Sequence, residues 1–186
     1  MNLNPVLTDI PAMRQRARQD IDEGAVTSGY KAGREAVLKL LNDALATELV
    51  CGLHYRRHYF MAKGIHSKGI AEEFLAHATE ELGHADLLAK RIVQVGGEPD
   101  FSPDTLSKRS YAEYVTADSL VDIIKEDLIA ERIAIDSYRE MVIYLGDQDP
   151  TTRRMLVGRH LGGGRRACGR TGRSVKRFTT GTEGLA

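Results

Sequence analysis

Glu48, Glu81, His84 and Glu131 are the residues in this sequence whose types and spacing could do joint chemistry. Each lies in a stretch that reads as helix, on a seam of residues recurring in steps of three and four. One seam runs Val37, Leu41, Ala44, Glu48, Cys51, Tyr55. A second runs Ile70, Phe74, His77, Glu81, His84, Leu88. A third runs Val121, Ile124, Leu128, Glu131, Ile135, Tyr138, Val142, Leu145. A carboxylate facing a core is costly unless it is protonated, paired or bound to a cation. Three carboxylates and an imidazole at mid-height of three facing helices could satisfy one another through a metal ion. Oxygen-rich donors with one imidazole suit iron or manganese better than structural zinc.

Taken singly, each residue has a plainer reading. A lone Glu on a helix is usually solvated, Glu-x-x-His is common, and apolar heptads mean core more often than cofactor. The combination is what carries information. A Glu falls on the inner seam of all three complete helices, and one of them adds His at i+3.

The elements that must position these residues follow from the punctuation of the chain. A short helix is expected over residues 9–23, capped by Asp9 with Pro11 in its first turn. Long helices are expected over 34–63, with Gly64 as the stop, over 67–95, ended by Gly96-Gly97 and Pro99, and over 119–145, stopped by Gly146. "EPDFSPDTLSKRS" reads as loop, and "YAEYV" reads as an added helical turn. Asp149-Pro150 supplies a cap and a first-turn proline, so a fourth helix begins there. It runs from "TTRRMLV" into "GRHLGGGRR", where each Gly costs about 1 kcal/mol relative to Ala. The fold class is therefore all-α. The expected architecture is an antiparallel four-helix bundle with a long crossover between the second and third long helices and a truncated or altered fourth helix.

Composition bounds the rest. A chain of 186 residues with 28% charged and 42% apolar residues is an ordinary globular domain. No apolar run approaches the roughly 20 residues of a membrane helix, and the N-terminus has no signal-peptide pattern. Two cysteines, Cys51 and Cys168, make no disulfide framework, so a cytoplasmic location is expected. The net charge of zero hides an asymmetry: residues 158–186 hold 7 basic residues, 1 acidic residue and 8 of the 18 glycines. Three segments are expected: an N-terminal extension over 1–32, a helical bundle over 33–157, and a Gly/Arg-rich tail over 158–186.

Di-iron carboxylate bundles take one Glu from each of two helices and Glu-x-x-His from each of the other two. Here Glu48 and Glu131 are the single carboxylates, and Glu81 with His84 is one Glu-x-x-His. Glu48 and Glu81 are 33 positions apart. The same step from Glu131 lands on Gly164, with His due at Ala167. Codons compatible with "GRRACGRTGR", read one base later, give EEEHADELA, which places Glu-x-x-His at those two positions. The tail thus reads as a frameshifted fourth helix, which sequencing of the coding DNA tests. The rival reading is a genuine basic tail, disordered and able to bind DNA phosphates.

With these residues in hand, the chain resembles the ferritin-like superfamily, closest to bacterioferritins and related Dps-type ferritins. The resemblance covers about Glu35 to Val157. It rests on "LLNDALATELVCGLHY", "EELGHADLLAKRIVQVGGEPD" and "EDLIAERIAIDSYREMVIYLGDQDP". It implies that Glu48, Glu81, His84 and Glu131 are ferroxidase di-iron ligands, with Glu81 bridging. Tyr55, seven residues after Glu48, is similar to a family tyrosine near the centre and is a candidate catalytic residue; its plainer reading is a core tyrosine with a satisfied hydroxyl. Haem is not expected, because bacterioferritins ligate it through a Met directly after the bridging Glu, and that position is Leu82.

The implied function is oxidation of Fe(II) by O2 or H2O2, with ferric product stored in a homo-oligomeric shell of 12 or 24 subunits. The site of this chain would be incomplete on the fourth helix. The alternatives are a DNA-protecting assembly acting through the basic tail, another ferritin-like oxidoreductase such as a manganese catalase or rubrerythrin relative, and a purely structural bundle. Against rubrerythrin stands the lack of a Cys-x-x-Cys signature.

Overall fold

A computed structural model gives the architecture for residues 9–19, 21, 26–30, 32–62, 67–117 and 119–161. The elements in chain order are α1 (Ile10–Arg16), α2 (Arg34–Met61), α3 (Ser67–Gln94), α4 (Leu106–Arg109), α5 (Leu120–Leu145) and α6 (Pro150–Met155), followed by a π-helical turn, Leu156–Leu161. No strand occurs among the described residues. Gly64 and the tail positions Gly164 and Ala167 lie outside the described residues.

The helix ends follow the expected chemistry. Asp9 caps α1 by accepting from Ala12 N, but α1 stops at Arg16 rather than continuing to residue 23. Ser119 caps α5 through Asp122 N. Gly146, at φ 47°, ends α5 in a conformation that residues with a Cβ avoid. Asp149 caps α6, with Pro150 in the first turn. Two local expectations are corrected. The loop segment contains the short helix α4, and "YAEYV" is non-helical. The reason is visible at Tyr111, whose backbone N–H donates to Thr47 Oγ1 on α2 at 2.9 Å instead of closing a helical turn.

Helix α2 runs antiparallel to α3: Arg34 at its start donates to the carbonyls of Val95 and Gly96, just beyond the end of α3, at 2.9 and 2.7 Å. Gly52 faces α3, where a Cβ would make ordinary contact at 3.6 Å with the Ala78 carbonyl oxygen and Glu81 Cβ. Helix α5 is antiparallel to α2, with Tyr138 bonded to Glu48 and Tyr55 to Glu131. The crossover from α3 to α5 is anchored by Arg109, which donates to the Asn42 and Asp100 carbonyls, both at 2.8 Å.

A polar knot ties α6 to the rest. Asp149 accepts from Tyr30 Oη at 2.9 Å, from Arg91 at 3.1 Å and from its own cap partner Thr152 N at 2.9 Å. Arg91 Nε also donates to Thr152 Oγ1 at 2.7 Å. The segment just before α2 therefore joins the bundle, and Ala32 enters its core.

The core forms two apolar clusters. One joins Val37, Leu41 and Leu45 to Leu88, Ile92, Met141, Leu145 and Leu156. The other joins Cys51 and Tyr55 to Phe74, Ala78, Ile123 and Ile124. Full burial of each Leu or Ile contributes about 1.5–3 kcal/mol relative to exposure. Between the two clusters along the helices lie Glu48, Glu81, His84 and Glu131.

Candidate metal centre

The three seams read from sequence converge. Glu48 (4% exposed) and Glu131 (5%) are buried, too little accessible to be solvated surface carboxylates. Glu81 and His84 are partly buried, with side chains 14% and 21% exposed, so the site opens on their side. His84 Nδ1 lies 3.0 Å from Glu81 Oε2 and 3.4 Å from Glu48 Oε2. Glu48, Glu81 and His84 each offer a ligand atom within 4.8 Å of the others. Glu131 is outside that group, yet close enough for its ionisation to respond to Glu48 and His84. Two tyrosines hold the carboxylates from behind. Tyr138 Oη donates to Glu48 Oε1, and Tyr55 Oη donates to Glu131 Oε1 at 2.7 Å. Gly83 meets nothing within 4 Å, so close packing does not explain it. Leu82, after Glu81, is 44% exposed and points away from the core.

The electrostatics are those of a pocket short of positive charge. Burial pushes the Glu81 carboxyl well above its ordinary value, and the Glu48 charge beside it pushes the same way. Glu131 rises to about 7 through burial, opposed by the Tyr55 hydrogen bond. Burial alone would lower His84, but its bonds to Glu48 and Glu81 outweigh that and raise it to about 10. Burial, together with the nearby carboxylates, raises Tyr55 and Tyr138 far enough that both remain protonated donors. Protons therefore sit where a cation would neutralise the carboxylates, and cation binding would release them. Two carboxylates and one imidazole within reach of one another, with the Glu131 carboxylate beside them, fit iron or manganese.

A second cluster was not singled out in the sequence. His54, His58 and Asp127 also present ligand atoms within 4.8 Å of one another. His54 and His58 are one turn apart on α2, and Asp127 is one turn before Glu131 on α5, so the i, i+4 spacing was a readable signal. Burial, then the His58 charge, lowers His54. Burial, then Arg57, lowers His58 to about 4. Burial raises Asp127 to about 8 against the pull of His54. Burial thus drives both partners of the 2.8 Å contact between His58 and Asp127 toward their neutral forms.

A sequence profile of the ferritin-like domain matches residues 38–159. The chain belongs to the ferritin-like family. It is 26% identical over 131 residues to the bacterioferritin of Desulfovibrio desulfuricans, which spans 69% of this chain and 69% of that one. Among solved structures, it is similar to the dodecameric thioferritin, a bacterioferritin-related protein, of Bacteroides fragilis. That match has 24% identity, covers 83% of this chain and 93% of the other, and has a TM-score of 0.78. It is also similar to the Dps of Thermosynechococcus elongatus, at 17% identity over 76% of this chain and 90% of that one, with a TM-score of 0.72. Among the described residues, no helix is long and apolar enough to cross a membrane.

Proposed function

We propose that this protein takes Fe(II) as substrate at Glu48, Glu81, His84 and Glu131, oxidises it with O2 or H2O2, and stores the ferric product in a homo-oligomeric shell. One observation carries the reading: Glu48, Glu81 and His84 from two helices converge within 4.8 Å in a layer between two apolar clusters. A solvated helix surface would not gather these groups, and a structural core would not bury them without compensation.

The residues divide the work. Glu48 and Glu81 would accept the cation as they give up protons. His84 supplies the nitrogen donor through Nδ1. Glu131 closes the α5 side, held by Tyr55, and Tyr138 fixes the orientation of Glu48. Each Fe(II) surrenders one electron to the oxidant, and the partly exposed Glu81–His84 side gives the substrates access. Two donors expected from a fourth helix fall at Gly164 and Ala167, neither of which can ligate a metal. The chain with these residues should hold its second iron weakly, and a coding sequence that restores Glu-x-x-His there should hold it tightly.

Anaerobic Fe(II) titration followed by admission of O2 tests the reading, with formation of ferric absorbance as the signal. Glu81→Ala should remove Fe(II) binding at the carboxylate centre and slow oxidation to the background rate. Oxidation at the unaltered rate in that variant would refute the assignment.

A further inference from the structure

We propose that His54, His58 and Asp127 form a second metal site, separate from the carboxylate centre, that takes a single divalent first-row transition ion. The donors are two imidazoles and one carboxylate, a set that zinc and iron(II) both accept.

Burial is the first argument. His54, His58 and Asp127 are 2%, 0% and 1% exposed, so none is a surface group that merely lies near the others. Among the described residues no Lys or Arg forms an ion pair with Asp127; its close partners are the two histidines. Arg57 and Glu126 are near enough to influence the cluster but belong to no bond within it. A carboxylate this deep gains from a cation that its neighbours do not supply.

Orientation is the second argument. His54 Nε2 lies 2.6 Å from the Val115 carbonyl oxygen. A carbonyl can only accept, so Nε2 carries a proton, and in the neutral ring that burial favours Nδ1 keeps its lone pair. That lone-pair nitrogen is the atom 4.0 Å from Asp127 Oδ1. A backbone carbonyl that fixes one ring nitrogen while the other faces a carboxylate is the outer-shell arrangement that prepares a histidine for a metal. The separation is somewhat wider than two donors each about 2.0–2.2 Å from one ion require.

Unmet bonding capacity is the third. His58 Nε2 and Asp127 Oδ2 are buried and have no hydrogen-bond partner. Buried polar atoms in native structures are normally satisfied, by protein, water or an ion. Tyr55 takes no part in this cluster: its hydroxyl donates to Glu131 and its ring meets His77 edge-on at 5.0 Å. The two groups share no ligand.

Co(II) titration of the full chain, read by visible ligand-field absorption and by metal content after dialysis, tests the site. Glu81→Ala disables the carboxylate centre and should retain one equivalent of Co(II). X-ray absorption at the cobalt edge should then count two imidazoles, whereas the carboxylate centre offers only one. In that background Asp127→Asn, whose amide can still bond to His58, and His54→Gln should each weaken Co(II) at least about 10-fold. Circular dichroism shows which variants are folded, and any folded one decides. The proposal is overturned if Glu81→Ala binds no Co(II), if the bound ion carries fewer than two imidazoles, or if a folded Asp127→Asn or His54→Gln binds as tightly as its parent. Loss of iron oxidation in Glu81→Ala bears on the carboxylate centre alone, so the two readings fail independently.

Discussion

Tyr138 on α5 donates its hydroxyl proton to Glu48 on α2, across the interface that brings the first and third carboxylate seams together. Both residues are buried. The bond fixes one oxygen of Glu48 and leaves Oε2 facing His84. Tyr138→Phe keeps the ring and deletes the donor. It should lower stability by about 1–3 kcal/mol, because Glu48 Oε1 loses a buried partner. It should also weaken Co(II) or Fe(II) at the carboxylate centre by about 10–100-fold. Urea denaturation and anaerobic metal titration measure the two effects. Unchanged metal affinity would show that Tyr138 is a packing residue only.

Acid should loosen the α6 junction. Burial by itself would raise the Asp149 carboxyl, but the Thr152 hydroxyl and N–H, the Tyr30 hydroxyl and the Arg91 charge together hold it below its ordinary value of 3.8. A depressed folded value means that the ionised carboxylate stabilises the fold above that ordinary value. The contribution is lost as pH falls below it and through the folded value. Asp149→Asn should therefore be less stable than the parent near neutral pH, with the gap narrowing on acidification. Thermal midpoints taken down the acid limb measure this; a gap that widens with acid would contradict it.

Gly83 is exposed on α3 with open space around it. Gly83→Ala should raise stability by about 0.5–1 kcal/mol, since the helix interior gains nothing from a glycine there. A chemical denaturation midpoint reads the change. A fall in stability would mean that another subunit covers this face in the assembled protein.

Cys51 is buried between Glu48 and Tyr55 on the α2 seam. Burial, reinforced by the charges of Glu81, Glu48, Glu131 and Asp127, raises its thiol well above the ordinary range. The thiolate is the reactive form. Peptide mass mapping after alkylation should show Cys51 unmodified in the native protein and modified in denaturant. Rapid native labelling would show that the bundle opens at its centre.

The long helices and their inward faces were legible because period 3.6 leaves a plain trace when one side is apolar. Val37 to Tyr55 is buried at every seam position, and the Asp149-Pro150 start of α6 follows from local capping chemistry. What sequence reading missed was non-local. Helix α4 is only four residues long, too short to show a periodic signal. Tyr111 is held out of a helix by Thr47, 64 residues earlier. The environment of His54 depends on the carbonyl of Val115, 61 residues later, which no helical pattern on α2 announces.

The layer of Glu48, Glu81, His84 and Glu131 also has a mechanical meaning. Packing grips the bundle on either side of it, around Leu41 and Leu88 at one end and Phe74 and Ile124 at the other. Across the layer itself α2 and α5 are joined by the bonds from Tyr138 to Glu48 and from Tyr55 to Glu131, and the Glu48 and Glu81 carboxylates repel one another when both are ionised. At this level the charge state of the carboxylates, rather than apolar packing, decides how tightly α2 and α5 are held together. A cation seated there would act as a rivet between the helices that carry these groups, so that loading would stiffen the bundle at its middle.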